Sequence, residues 1–401
     1  MRRTVLRPIL VVIALLAVGL LTGFTTKTNA KPPIIIGFAT AQSGFIQPFD
    51  GPATIAAEIA RDEINSAGGI LGGRKLKFVF ADTKSTLADV ANAGISVINQ
   101  GAQMMVVSCD YDNGAPAGRE AEKKGIVDIS ICAGSPKYGV KDVGPLSYTM
   151  GTGTPTEGGT GAQFAYYVKH WHTAYVVTDT LVDYNITAAK YFEYYFKQAG
   201  GKILGQDTYQ ESDTSFGSQI SRIQATNPKP DFLYIAGIQP NMATFIRQVR
   251  AAGINLPIVT DAAGDGSYWL KATPGLSNYY ATVYSSVFGD DPNPKINSLV
   301  KEYEARTHKT LSGGSFATGY AVIQAMVDAM KICNCTDGKG MANAMDSFRN
   351  EPLVVGPTTF TKTIHMPNGR PLRIMQVQNG KMSFLMLYKT KGIHFVCSVE
   401  C

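Results

Sequence analysis

Six cysteines, Cys109, Cys132, Cys333, Cys335, Cys397 and Cys401, carry the widest choice of chemistry in this chain. An even number can pair in an oxidising compartment. Cys109 and Cys132 close two apolar runs, Met104 to Ser108 and Gly125 to Ile131, expected as parallel neighbours in one sheet. A bridge between them is therefore within reach, and the pairing stays open on sequence alone. Cys333-Asn334-Cys335 and Cys397 to Cys401 could tie a helix end to the C-terminal tail, whereas a bridge inside either set is expected to be strained. A four-thiolate zinc site is set aside because the spacings lack paired C-x₂₋₄-C. No His stands where it would activate a cysteine nucleophile.

Other signatures fail on inspection. Gly68 and Gly73 have the spacing of a phosphate-binding loop, but Arg74-Lys75 replaces the required Lys-Ser/Thr. Gly151-Thr152-Gly153 lacks the third glycine of a dinucleotide fingerprint, and Pro155 interrupts it. HExxH, GxSxG and CxxC do not occur. Ser298 to Lys301 matches SxxK by coincidence, on a surface-like helix without companion motifs. His170 and His172 flank Trp171 in an expected helix-to-strand turn, where solvated side chains fit better than a metal pair. Nothing demands catalysis, so the chain is read as a binding protein that is not an enzyme, with no cofactor and no metal.

The surrounding chain indicates where such a protein would work. Arg2, Arg3, Arg7 and an unbroken apolar run from Ile9 to Leu21 precede a small-residue exit at Thr28-Asn29-Ala30. This is the pattern of a cleavable secretory signal peptide over residues 1–30. The run is short for a membrane span. The formal charge of +6 comes from 37 basic and 31 acidic residues. Four of the basic residues lie in the export segment, so the mature chain from Lys31 holds 33 against 31 and is nearly neutral. That argues against nucleic acid as a partner, which needs clustered Lys and Arg. With 45% hydrophobic and 17% charged residues, disorder is excluded too. The mature length exceeds the ~100–200 residues usual for one domain, which points to two lobes.

Short apolar strands alternate with amphipathic helices throughout, the pattern of α/β lobes with parallel sheets covered on both faces. The first lobe is expected to hold strand Ile34 to Ala39, a loop from Gln42 to Gly51, and a helix from Pro52 to Ser66 ended by Gly68-Gly69. Strand Lys75 to Ala81, helix Leu87 to Asn99, strand Met104 to Ser108, helix Ala115 to Lys124 and strand Ile126 to Ile131 follow. A Gly- and Thr-rich stretch, Met150 to Thr160, breaks the rhythm and opens the second lobe. Alternation resumes with helix Ala162 to Lys169 and strand Thr173 to Thr178, and continues to a strand at Pro257 to Thr260. Strand Tyr280 to Ser285 and helices Pro294 to Thr307 and Ala317 to Lys331 bring the chain back toward lobe one. Tail strands are expected at Arg373 to Gln378 and Phe384 to Tyr388.

Several of these stretches together resemble one family. They are Ile34-Ile35-Ile36-Gly37, Ser43-Gly44, the turn from Ile64 through Gly68-Gly69-Ile70-Leu71-Gly72-Gly73 to Leu76, Asp82, Asp213 to Phe216, Phe245 to Gln248, and Val355-Gly356-Pro357. The chain resembles the leucine-binding-protein-like, branched-chain amino acid and amide class of type I periplasmic solute-binding proteins of ABC importers. The resemblance implies two Rossmann-like lobes joined by three hinge crossings, near Met150 to Thr152, Val283 to Ser286 and Val355 to Thr358. It divides the chain into lobe one at 31–151 and 284–356, and lobe two at 152–283 and 357–401. It implies a periplasmic monomer that closes on a small ligand and delivers it to a membrane permease. The other reading is a sensor of the same fold that signals to a regulator.

The resemblance also says where the ligand would lie, in loops at the carboxyl ends of the strands. Ala133, Gly134 and Ser135 match a loop that holds a ligand carboxylate in amino-acid binders. Asp110-Tyr111-Asp112 departs from the small hydroxyl residues usual in the neighbouring loop, which turns the expectation toward an amide, urea-like compound or polyamine. Asp110 and Asp112 are equally suited to capping the next helix. In lobe two, Tyr184 matches an aromatic that packs on the ligand, and Asp261, with Asp265 as the alternative, matches an acid that binds an ammonium. Gln239 stands where related proteins have an aromatic. Phe45 and Phe49 serve either as an apolar wall or as loop packing.

Overall fold

The computed structural model describes residues 31–311, 313–396 and 399; the expected export segment, Cys397 and Cys401 lie outside them. Strand β1 (Ile34–Thr40) is rich in isoleucine and largely buried, as a strand within a covered parallel sheet must be. Helix α1 (Gln47–Ser66) starts before the expected Pro52. Pro48 sits in its first turn, where a missing N–H costs nothing, so Phe49 belongs to the helix and not to a loop. Then come β2 (Leu76–Asp82), α2 (Leu87–Asn99) and β3 (Met104–Val107). Helix α3 (Tyr111–Lys124) starts four residues before the expected Ala115, because the Asp110 carboxylate accepts the Asn113 N–H at 2.9 Å and caps it. Strands β4 (Asp128–Ser130) and β5 (Ser147–Thr149) complete a parallel sheet ordered β2-β1-β3-β4-β5. The last of these strands was not expected.

The Gly- and Thr-rich stretch is also regular structure: α4 (Gly153–Gln163), continued by a π-helical turn at Phe164–Val168 where an α-helix was expected. Its composition reflects close packing on a neighbouring helix. A Cβ on Gly158 would lie 2.6 Å from the Phe192 nitrogen. Alternation continues through β6 (Thr173–Asp179), α5 (Asp183–Ala199), β7 (Lys202–Tyr209), α6 (Gly217–Ala225), β8 (Phe232–Ala236), α7 (Asn241–Ala251), β9 (Ile258–Thr260) and β10 (Tyr279–Val283). The chain then returns to the first sheet, where α8 (Pro294–Thr307), α9 (Phe316–Cys333) and α10 (Gly338–Met345) share a core with β1 and β3. A hairpin of β11 (Glu351–Leu353) and β12 (Gly356–Thr358) leads to β13 (Leu372–Gln378) and β14 (Lys381–Tyr388). These two add antiparallel strands to a second sheet ordered β14-β13-β10-β9-β8-β6-β7.

Each sheet carries apolar cores on both faces, which makes two lobes. Where the chain passes between them, a buried Arg373 guanidinium grips both carboxylate oxygens of Asp291 at 3.0 Å and donates to the Val355 carbonyl at 3.1 Å. Cys109 and Cys132 are paired, with Cα atoms 4.3 Å apart at the ends of β3 and β4. Cys333 pairs with Cys335 and not with the tail, contrary to expectation. Asn334 ends α9 in the left-handed region at φ 52° and turns the chain back between the two sulfurs. Among the described residues, no helix is long and apolar enough to cross a membrane.

Candidate ligand-binding cleft

The carboxyl ends of β1, β3 and β4 face those of β8, β9 and β10 across a cleft, and between the two lobes lies a partly open cavity of about 40 Å³. That is room for a few waters, so the lobes are drawn together around a small space. Lobe one contributes Ile46 and Phe49 from the start of α1, Cys109 and Asp110 after β3, Cys132 after β4, and Ser315 just before α9. Lobe two contributes Tyr184 from the first turn of α5, Ile238 after β8, and Ala262, Ala263 and Asp265 after β9, and Tyr284 lines the cavity where the chain leaves β10 for lobe one. Phe45 and Phe49 pack across the gap on Val182, Tyr184, Ile238 and Ala263.

Behind this wall lies a buried acidic floor. The Glu157 carboxylate, from α4, accepts the Tyr184 hydroxyl, the Tyr284 hydroxyl at 2.6 Å, and more distantly Thr152 Oγ1 and the Ala262 N–H, each at 3.4 Å. Asp261 is fully buried; one oxygen accepts the Ala263 N–H at 3.0 Å, and the Tyr184 and Tyr234 hydroxyls face the carboxylate. Burial raises the pKa of Asp261, and the nearby Glu157 charge raises it further. Burial also raises Glu157, against the pull of its tyrosine donors. Asp265 is pushed up to about 7 by burial, although its carboxylate takes the Gly266 N–H at 2.6 Å and the Gly314 N–H from the other lobe. Asp110 is pushed up to about 6, first by burial and then by Asp112. Next to it, fully buried Asp50 holds the loop after β3 by accepting Ser108 Oγ at 2.6 Å and the Cys109 N–H at 2.8 Å.

At the mouth of the cleft the groups are paired across the lobes. The Asp183 carboxylate accepts the Ser135 hydroxyl at 2.5 Å and Lys137 Nζ at 2.6 Å, while the Asp183 N–H donates to Asp112 at 2.9 Å. Gly134 permits this approach, because a Cβ there would stand 2.6 Å from the Tyr184 ring. Tyr111 faces away from the cavity, where its hydroxyl meets Asp142 and Arg119.

Of the residues singled out from the sequence, Phe49, Asp110 and Tyr184 line the cavity, and Phe45 joins the apolar contact beside it. Asp112 and Ser135 lie in the interlobe bonds at the mouth. The Ala133 N–H is engaged by Ser130 Oγ at 2.9 Å. Gln239 is buried, and its side-chain oxygen accepts the Ala243 N–H at 3.0 Å at the start of α7. Asp261 stands behind the wall, and the alternative acid Asp265 is on it. Glu157 and Tyr284 were missed. Glu157 is the lone acid in a stretch read as irregular, and Tyr284 sits at the end of an expected strand. Among the described residues, no group of three or more His, Cys, Asp or Glu could hold a metal ion.

Two α/β lobes joined by three passages, with a cavity at the facing strand ends, define a bilobal solute-binding fold. Residues 33–381 match the periplasmic binding protein family model, and the chain belongs to that family. It is similar to the Leu/Ile/Val-binding protein of Escherichia coli K12, with 25% identity over 357 residues, covering 86% of this chain and 91% of that one. Among solved structures, a branched-chain amino acid transporter substrate-binding protein of Streptococcus pneumoniae in complex with isoleucine superposes with a TM-score of 0.77. It shares 22% identity and covers 89% of this chain and 99% of its own. A solute-binding protein of R. palustris in complex with benzoate gives a TM-score of 0.71 at 20% identity, covering 89% and 97%. Ligands as different as isoleucine and benzoate thus occupy proteins of this one fold.

Proposed function

We propose that this chain is the periplasmic solute-binding component of an ABC importer, a monomer that captures a small ligand between its lobes and presents it to the permease. The carrying observation is the small cavity lined by strand-end loops of both lobes, with hydrogen bonds across its mouth. Binding and closure are one event in such a design, because the interlobe bonds form only when the lobes meet. Lobe one comprises residues 31–151 and 284–356, and lobe two residues 152–283 and 357–401, with hinges near Met150, Val283 and Val355. Lys31 is the expected first residue after export.

A thermal-shift screen of purified residues 31–401 against amino acids, amides, ureas, amines and aromatic acids tests this reading. A true ligand at 100 times its Kd stabilises the folded chain by about 2.7 kcal/mol. A melting temperature that no compound of any class raises would contradict it.

A further inference from the structure

We propose that the ligand is a small amphipathic organic cation, an amine or guanidine that carries no carboxylate; this rests on the solute-binding reading above and names its substrate class. The charged side chains lining the cavity are of one sign, and the buried Arg370 guanidinium beyond Tyr284 is held by the Met150 carbonyl and the Thr358 hydroxyl. Asp110 and Asp265 are on its wall, Glu157 and Asp261 stand behind Tyr184 and Ala262, and all four are at most 4% exposed. No Lys, Arg or His is among the residues lining the cavity. Buried carboxylates without a counter-charge are costly, and the closed protein relieves them either by holding protons or by enclosing a cation. Besides the Ala263 N–H, Asp261 is faced by the Tyr184 and Tyr234 hydroxyls, neutral groups that supply no counter-charge, which a cation would.

The donors that would receive a ligand carboxylate are already committed. The Ser135 hydroxyl is given to Asp183, the Ala133 N–H to Ser130, the Cys109 N–H to Asp50 and the Asn113 N–H to Asp110. A carboxylate placed there would meet Asp110 instead. The remaining wall, with Ile46, Phe49, Ile238 and the paired Cys109 and Cys132, is largely apolar and suits a short hydrocarbon body.

The test is a set of matched pairs, each an amino acid and the amine left by its decarboxylation: leucine with 3-methylbutylamine, lysine with cadaverine, arginine with agmatine and phenylalanine with phenethylamine. Calorimetry on residues 31–401 is expected to show at least one amine bound tenfold or more tightly than its parent. Glu157→Gln, which keeps an acceptor for one tyrosine and offers the other an amide N–H that its hydroxyl can accept, is expected to weaken that amine at least tenfold with little change in melting temperature. Tighter binding of the amino acid in the pairs that bind, or binding only of neutral amides or carboxylic acids, would overturn the cation assignment and leave the solute-binding reading standing. Failure of every class of compound would overturn both.

Discussion

The mouth and the floor of the cleft are built on opposite principles. At the mouth, Asp183 is matched by Ser135, Lys137 and Asp112 from the facing lobe, and the pairs are partly open to water. On the floor, Glu157, Asp261 and Asp265 are buried, of like charge, and paired only with neutral donors. A matched, hydrated set of contacts holds two surfaces in register and adds little selectivity. An unbalanced buried set waits for a complementary charge. On the proposed reading, closure rests mainly on the mouth and recognition on the floor, with Asp265, which also accepts the Gly314 N–H of the other lobe, taking part in both.

The largest effect is expected from preventing the lobes from meeting. Gly134→Val would drive a side chain into the Tyr184 ring, which a Cβ alone would already approach to 2.6 Å. Ligand affinity is expected to fall by ~100-fold or more, about 2.7 kcal/mol, with the melting temperature of the ligand-free chain little changed, as calorimetry and thermal unfolding would show. Next comes Asp183→Ala, which removes the carboxylate shared by Ser135 and Lys137. Since Lys137 is well exposed, its share is discounted, and the total loss is set at roughly 1–1.5 kcal/mol. Stopped-flow should find it in a faster off-rate, about tenfold, and not in the on-rate.

Protonation sharpens the floor's side of the comparison. Asp110, facing Asp50 and Asp112, is raised to about 6, and Asp265, facing Tyr268 and Tyr279, to about 7. Between pH 4 and 7 the folded ligand-free chain therefore holds more protons than the unfolded chain, so this contribution to stability is present at pH 5 and lost as pH rises through 7. Asp62, Asp82 and Asp142 are lowered, and their contribution changes only below about pH 4. Thermal unfolding from pH 5 to 8 should show a declining melting temperature without ligand, while affinity for a cation rises over the same range. The smallest effect belongs to the rim: Tyr111→Phe removes a hydroxyl from the exposed Arg119 and Asp142 pair and should change affinity by less than about 0.5 kcal/mol.

Elements with a clear amphipathic period and sharp stops were legible at once. Helices α2 and α8 span the expected residues, Leu87–Asn99 and Pro294–Thr307. Helix α4 was hidden because glycine and threonine disfavour an isolated helix, and its stability comes from packing on α5. The lining of the candidate cavity was legible where a residue caps a helix, as at Asp110, or opens one, as at Tyr184. It was illegible where function depends on distant partners. Ser135 and Asp183 are 48 positions apart, and nothing local to Ser135 shows that its hydroxyl is spent across the cleft. Glu157 was overlooked for the same reason, since its importance lies in Tyr184 and Tyr284 donating to it from other segments.

The most direct test is a crystal structure of residues 31–401 grown with the tightest-binding member of the matched pairs. The account predicts density enclosed between Phe49 and Tyr184, with a cationic nitrogen within about 3.2 Å of the Asp261, Glu157 or Asp265 carboxylate and Asp183 still joined to Ser135. A ligand bound outside the cleft, or one whose own carboxylate lies against those acids, would contradict it.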